Sequence, residues 1–427
     1  MSQDYSGIAQ EFESLITSQQ IAYDPQWQPT GELPAKPLVI PQTEASLGQV
    51  CAIAQQNQLS LVPCGNGSKL TWGGLPSQFD FYLSTRHLNQ ILDHAVGDLT
   101  VSVQAGVTLA QLQAHLKQSN QFLPLDPAYP DTATLGGIVA TADAGSWRER
   151  YGGVRDLLIG ISFVRADGES AKAGGRVVKN VAGYDLMKLF TGSYGTLGII
   201  SQLTFRTYPL PPASATVVLT GDADAITDIA QTLRNSTLTP TRADVLSPGM
   251  TEKLNLGKGL GLIIQWETII ESIEKQIEEL SNLAQCNSLT ITRYQEENEK
   301  LLWDQLKALT SVAPNNGETT CKIGLLPTAI RDFFSALPSD SYAIIHNKSG
   351  LGELVLSADL SVATVKSIRD SCEKNKGFLT LLSAPSAIKT QIEPWGYTGN
   401  ALTIMKKIKE QFDPNNQFNP SRFVGGI

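Results

Sequence analysis

Residues 174–200 read GGRVVKNVAGYDLMKLFTGSYGTLGII. Six of these 27 positions are glycine, alternating with polar and β-branched residues in a way that suits neither a helix nor an ordinary strand. Backbone without Cβ atoms at this spacing is suited to lie against something flat or charged. The chain around it has to be folded so as to present that contact.

Two further stretches share the character. Residues 63–69 read PCGNGSK after an apolar strand. Gly65 and Gly67 flank Asn66, so backbone N–H groups from Cys64 to Ser68 can converge on an anion, with the Ser68 hydroxyl added. Neither GxxxxGKS/T nor GxGxxG is present, and taken alone the stretch from Pro63 to Lys69 is better explained as a tight turn ending in a solvated lysine. The second stretch, residues 130–145, reads PDTATLGGIVATADAG. Thr134, Gly136, Gly137, Ala140, Ala144 and Gly145 present little bulk, so a helix starting near Thr134 can bring its first amides close to a pyrophosphate. Close helix packing uses the same residues equally well; Pro130 and Asp131 stand with them as cofactor-binding candidates, although Asp131 and Thr132, just before the helix, serve as readily as its cap. In the opening stretch, Gly195, Thr196, Gly198, Ile199 and Ile200 supply backbone that can approach a ring or a sugar. One such loop is ordinarily a turn; three between residues 63 and 200 are much less easily explained that way.

A chain of 427 residues is long enough for two or three domains. Its net charge of -8 and pI near 5.2 argue against nucleic acid, whose phosphates need a basic surface. Asp4, Glu11 and Glu13 stand where a signal peptide would carry basic residues, and no apolar run approaches the roughly 18 residues of a membrane span. Five scattered cysteines without a C-x-x-C pair fit reduced thiols in a cytoplasmic protein, with no disulfide or metal site. Peripheral membrane association through a partner stays open.

The expected organisation is an N-terminal helix and entry segment (1–35), a first α+β domain (36–209), a second α+β domain (210–385) and a C-terminal segment (386–427). The first domain opens with a strand, helix, strand unit in which Thr43 caps the helix. PLPP at 209–212 marks the boundary. The second domain shows strand, helix, strand, strand, helix, strand twice over, which predicts paired ferredoxin-like halves forming one antiparallel sheet backed by helices. A single irregular α+β domain fits the same pattern. A last helix over 402–412 leads into DPNNQFNPSRFVGGI.

Together, PCGNGSK, TLGGIVATADAG, KNVAGYDLMKLFTGSYGTLGII and FDPNNQFNPSRF resemble the FAD-binding domain of the vanillyl-alcohol oxidase (PCMH-type) flavoproteins. Within them the chain is most similar to the smaller FAD-binding subunits, the E subunits, of bacterial glycolate oxidases. The resemblance implies a two-lobed PCMH-type FAD-binding domain, an antiparallel cap and a tail returning to the flavin. It implies that Cys64 to Ser68 hold the pyrophosphate, Thr134 to Gly137 with Ala144 and Gly145 the pyrophosphate and flavin side, and Gly195 to Ile200 the adenosine region. Asn419 and Pro420 would return to the flavin edge. Relatives that attach FAD covalently place histidine within the first glycine loop, where this chain has Gly67 and Ser68, so non-covalent FAD is expected.

Larger homologues carry a His-x-Gly-Asp-Gly-Asn-x-His segment; here the matching stretch reads IIHNKSGLGELVL, and His346 alone cannot make a metal site. Oxidising a 2-hydroxy acid calls for a cation to hold the carboxylate, a base for the hydroxyl proton, and a flavin to take hydride. Arg148, Arg150, Arg176 and Lys179 flank the loops as candidate cations, Arg150 foremost. Tyr184 and His346 are the candidate bases, although solvated arginines and a packed histidine account for the same residues. The resemblance implies an FAD-binding subunit of a glycolate dehydrogenase complex, partnered by a larger homologous subunit and an iron–sulfur subunit. A self-sufficient D-2-hydroxy-acid dehydrogenase and a non-catalytic FAD-bearing scaffold are the alternatives.

Overall fold

Strand β1 (Ile21–Asp24) runs antiparallel to β2 (Leu38–Pro41), while β3 (Leu61–Cys64) and β4 (Phe81–Ser84) complete a four-stranded sheet in the order β1-β2-β4-β3. The computed structural model to which these strands belong describes residues 6–76, 78–175, 183–285, 289–311 and 317–427. The chain divides into two units, one comprising Met1–Gly145, Gly152–Leu210 and Tyr397–Ile427, the other Ser146–Tyr151 and Pro211–Gly396.

In the first unit, β2, β3 and β4 pair in parallel, and the helix Glu44–Gln56 forms the crossover between β2 and β3. Thr43 caps it as its sequence implied: the Thr43 side chain accepts from the Ser46 N–H at 3.1 Å, and the Ser46 hydroxyl accepts from the Thr43 N–H at 3.1 Å. β1 lies in the segment the sequence reads as mere entry, because four residues of moderate polarity give too short a pattern to register.

A second lobe is a five-stranded sheet, β5-β6-β10-β8-β9, from β5 (Ile91–Ala95), β6 (Thr100–Gln104), β8 (Leu158–Val164), β9 (Ser170–Gly174) and β10 (Ile199–Arg206). A small ribbon joins β7 (Gln121–Phe122) to β11 (Tyr208–Pro209). The helices Leu109–Lys117 and Leu135–Thr141 cover the larger sheet, with Leu112, Leu116, Leu135, Ile138 and Phe205 in its core. The two lobes share strands. Val164 and Ile199 belong to the core of the first lobe, whereas Ile161, Phe163 and Leu203 on the same strands belong to that of the second. The tail closes the unit: Leu61 N–H donates to Gln417 at 2.8 Å and Asn419 N–H to Leu61 at 2.9 Å, so residues 417–419 lie beside β3. Phe418 is fully buried there, a contribution of about 1.5–3 kcal/mol.

The second unit contains one eight-stranded antiparallel sheet. Its strands are β12 (Ala213–Gly221), β13 (Arg242–Leu246), β14 (Leu260–Thr268), β15 (Thr290–Tyr294), β16 (Thr319–Gly324), β17 (Tyr342–His346), β18 (Leu351–Leu356) and β19 (Phe378–Ser383). The order β15-β12-β14-β13-β17-β18-β16-β19 is two ferredoxin-like halves joined edge to edge at β13 and β17. Ala243, Val245, Ala343 and Ile345 point to the face covered by the helices Ala223–Asn235, Ile270–Gln285, Ile330–Ala336 and Val362–Lys374. The alternating positions Leu246 and Ile344 point to the opposite face, under the helices Glu296–Thr310 and Pro248–Lys253. The α+β class and the paired ferredoxin-like halves of the second unit are thus as expected.

Candidate functional site

Within the first unit, the loop after β3, the start of the helix Leu135–Thr141, the loop leading into β10 and one tail arginine line a cleft that opens to solvent. Pro63, Cys64, Gly65, Asn66, Gly67, Ser68 and Lys69 line it, together with Thr134, Gly136, Gly137, Ala140, Gly195, Gly198, Ile199 and Ile200. Two glycines hold its walls together. A Cβ on Gly65 would sit 2.1 Å from Thr134 Oγ1, and one on Gly195, at φ +70°, would sit 2.7 Å from Pro63 Cγ. The three stretches therefore meet with glycine backbone set against the side chains of Thr134 and Pro63, in a cradle that an added Cβ would crowd.

Hydrogen bonds fix the loop after β3. Ser84 Oγ donates to the Gly65 carbonyl at 2.7 Å, and Asn66 Nδ2 reaches the Thr132 carbonyl at 2.9 Å. Lys69 Nζ pairs with Asp143 Oδ2 at 2.7 Å, both side chains buried, and the same oxygen accepts the Ala128 N–H at 2.9 Å. Lys69 is therefore a buried ion-pair partner, in place of the surface charge its sequence context suggested. Burial pushes the Cys64 thiol up to about 12, so it is protonated and unreactive at neutral pH.

Several expected residues support this cleft from outside its lining. Ala144 is buried in the second-lobe core, and Gly145 sits at φ +68° against Asp126. The Thr196 carbonyl accepts from Lys409 Nζ at 2.9 Å, while Asn419 Nδ2 donates to the Tyr194 carbonyl. Pro130 and Asp131 lie in a turn before the helix, Asp131 exposed. Leu70, Thr85, Ala133, Thr141, Tyr194 and Arg422 line the cleft without having been singled out. Arg422 is the most telling of these. Its guanidinium is buried, donates to the carbonyls of Leu70 at 2.8 Å and Lys69 at 3.2 Å, and has its pKa lowered by that burial. It stands in the quoted FNPSRF motif, where a buried cation could have been suspected from the flanking apolar residues. Glycine-lined backbone with Lys69 and Arg422 close by suits a pyrophosphate, so the residues present fit FAD.

Of the candidate catalytic residues, Tyr184 is 89% exposed and Arg150 is exposed, whereas His346 is buried. Arg148 is half-buried, and Arg176 and Lys179 lie outside the described residues. His346 belongs to a polar cluster inside the second unit. Its Nδ1 lies 2.7 Å from Asp244 Oδ1 and 3.3 Å from Ser146 Oγ, and Ser146 Oγ donates to Asp244 Oδ2 at 2.6 Å. Asp244 and His346 face each other in register across β13 and β17. Glu149, in the same unit, has its carboxyl pushed up to about 7 by burial and by the Asp244 charge, against the Lys348 N–H and the charges of His346 and Lys348. Among the described residues no three His, Cys, Asp or Glu side chains are grouped to hold a metal, and the cysteines are free.

Residues 35–174 match the family model described as an FAD binding domain. The chain is 24% identical over 426 residues to glycolate oxidase subunit GlcD of Bacillus subtilis, covering 90% of this chain and 88% of that one. It is 38% identical over 133 residues to glycolate oxidase subunit GlcE of Escherichia coli, a match covering 31% of this chain and 38% of its relative. The solved structure of p-cresol methylhydroxylase with substrate bound superimposes with TM-score 0.75 at 16% identity, covering 99% and 97% of the two chains. Residues 35–174 are therefore an FAD-binding domain, and FAD is the cofactor of this chain. Its fold is the one seen in p-cresol methylhydroxylase. Among the described residues no helix is long and apolar enough to cross a membrane.

Proposed function

We propose that this protein is an FAD-dependent oxidoreductase acting on the CH–OH group of a small 2-hydroxy acid, glycolate, and that it works as the FAD-binding subunit of a glycolate dehydrogenase complex. Its partners in that complex are a larger homologous flavoprotein subunit and an iron–sulfur subunit that receives the electrons. The observation that carries the reading is the glycine-walled cleft, together with sequence likeness to both GlcD and GlcE.

In this reading Cys64 to Ser68, Thr134 to Gly137 and Gly195 to Ile200 hold FAD without a covalent bond, and Arg422 supplies positive charge beside its pyrophosphate. Bound FAD supplies the hydride acceptor. His346 takes the hydroxyl proton, its imidazole being the candidate base with a built polar environment. An arginine, with Arg150 the first candidate, holds the substrate carboxylate as a planar fork.

The test is anaerobic addition of glycolate to the yellow protein, alone and then with its partner subunits. Bleaching of the flavin at 450 nm only in the complex is the expected result. Bleaching by the isolated chain makes it a self-sufficient dehydrogenase, and full activity of a complex stripped of FAD in this chain alone leaves it a scaffold. Acid treatment of the same sample should release all of the flavin into solution.

A further inference from the structure

Two of the four histidines of the chain meet in the first unit, although no motif in the sequence joins them. His94 lies on β5 and His115 in the last turn of the helix Leu109–Lys117, and their rings stand 5.2 Å apart, centroid to centroid, with the planes inclined at 55°. Both residues are half-buried, so the rings are packed yet reachable from solvent. Two imidazole nitrogens bound about 2.0–2.1 Å from one tetrahedral ion place their ring centroids roughly 5.2 Å apart. A packed pair of aromatic rings spans about 4.5–7 Å, so the separation permits a shared ion without requiring one. The hydrogen bonds around His94 favour the ion.

Gln121 sets the state of the His94 ring. It is buried, and its carboxamide is committed at both ends: Nε2 donates to the Val96 carbonyl at 2.9 Å, and Oε1 accepts from the Thr207 hydroxyl at 2.7 Å. Turning the amide over would set its oxygen against the Val96 carbonyl, so the atom 3.1 Å from His94 Nε2 is the acceptor Oε1. Nε2 therefore carries the ring proton and donates it to Gln121, and in the neutral ring the lone pair is on Nδ1. A histidine that gives one ring N–H to a fixed acceptor and keeps a lone pair on the other nitrogen is oriented as metal-ligating imidazoles are. Among the described residues no hydrogen bond engages the His115 ring, and its place in the last turn of a helix favours a cation beside it.

We propose that His94 and His115 form a two-imidazole site for a divalent transition-metal ion of the zinc, copper and nickel kind. Imidazole nitrogen suits these ions, whereas magnesium and calcium take oxygen. His94 ligates through Nδ1 and His115 through a ring nitrogen. Water fills the remaining positions, because no third His, Cys, Asp or Glu is grouped with them among the described residues. Such a site is open and exchangeable, unlike the closed four-ligand sites of structural zinc. Gln121 is its positioning residue. The bound ion ties β5, an edge strand paired with β6 alone, to the end of the helix Leu109–Lys117. Neither histidine lines the cofactor cleft, so the site stands apart from the reading of that cleft.

The test is a calorimetric titration of Zn²⁺ into the untagged, FAD-loaded full chain after treatment with a chelator. One saturable equivalent per chain is expected, weakened at least about tenfold in His94→Gln and in His115→Gln and unchanged in His87→Gln. Flavin content should be the same in all three variants. X-ray absorption at the zinc edge of the loaded wild-type protein reads the ligands without any variant, and should show two imidazole nitrogens with water oxygens at about 2.0–2.1 Å. A titration without a saturable equivalent, an equivalent that survives both histidine substitutions, or a shell containing sulfur overturns the proposal.

Discussion

Replacing Lys409 with methionine is the sharpest test of how the C-terminal tail is joined to the cofactor cleft. Lys409 Nζ donates to the carbonyls of Thr196 at 2.9 Å and Phe418 at 2.8 Å and pairs with Asp413 Oδ2 at 2.6 Å. The two charged side chains are 8% and 0% exposed, and burial lowers the lysine pKa even with the carboxylate beside it. Methionine keeps the apolar length but removes one charge and all three donors. Asp413 is left buried, held only by the N–H groups of Gln417 at 2.9 Å and Phe418 at 2.7 Å. Breaking one side of a buried pair in this way costs about 3–5 kcal/mol. Because Thr196 sits in the loop beside Gly195 and Phe418 packs beside β3, part of that loss falls on the FAD-bound form. Each 1.4 kcal/mol that does so weakens FAD about tenfold. Urea unfolding followed by tryptophan fluorescence, with FAD titration of the refolded apoprotein, measures both quantities. Adding Asp413→Asn to the lysine variant removes the orphaned charge and should recover about 1 kcal/mol or more. A single variant within about 1 kcal/mol of wild type with unchanged FAD affinity, or a double variant no better than the single, would refute the reasoning.

Three other substitutions probe the remaining chemistry. The Glu149 carboxyl, pushed up to about 7 in the fold against 4.5 unfolded, favours the protonated form. Its contribution to stability is present below pH 4.5 and disappears as pH rises through 7, a span of about 3 kcal/mol. Glu149→Gln should therefore raise the melting temperature at pH 8.5 and leave it unchanged at pH 4.5; an equal rise at both would show that the carboxyl does not titrate as described. Gly195→Ala forces a Cβ onto Pro63 at a positive φ, and Gly65→Ala forces one onto Thr134 Oγ1. Strain of about 1–3 kcal/mol should part the walls of the cleft, read as purified protein deficient in FAD but with unchanged circular dichroism.

The cleft was legible because its walls are glycine, and glycine at that density records a close approach directly in composition. The strands and helices of the second unit were legible because their apolar residues recur at periods of 2 and 3.6. Shorter or more polar elements were not. β5, with Asp93 and His94 in mid-strand, takes its place through pairing with β6, and pairing leaves no local pattern. The cluster at His346 lay beyond any motif, since Ser146, Glu149 and Asp244 are each unremarkable where they stand and acquire meaning only through contacts about a hundred or more residues away. Arg422 was hidden differently. It sits in a stretch that had been quoted, but an arginine near a chain end reads as solvated until its guanidinium is seen among backbone carbonyls.

The edge where β13 meets β17 has a further consequence. Only three register pairs join the halves there, Asp244 with His346, Val245 with Ile345 and Leu246 with Ile344. A slip of one residue would turn Asp244 toward the opposite face of the sheet, that of Ala243 and Val245, and dissolve the cluster. Neither ferredoxin-like half owns the acid–imidazole pair, since one contributes the carboxylate and the other the ring. That pair forms only when the two halves have docked in the correct register, which makes it a property of the junction rather than of either repeat.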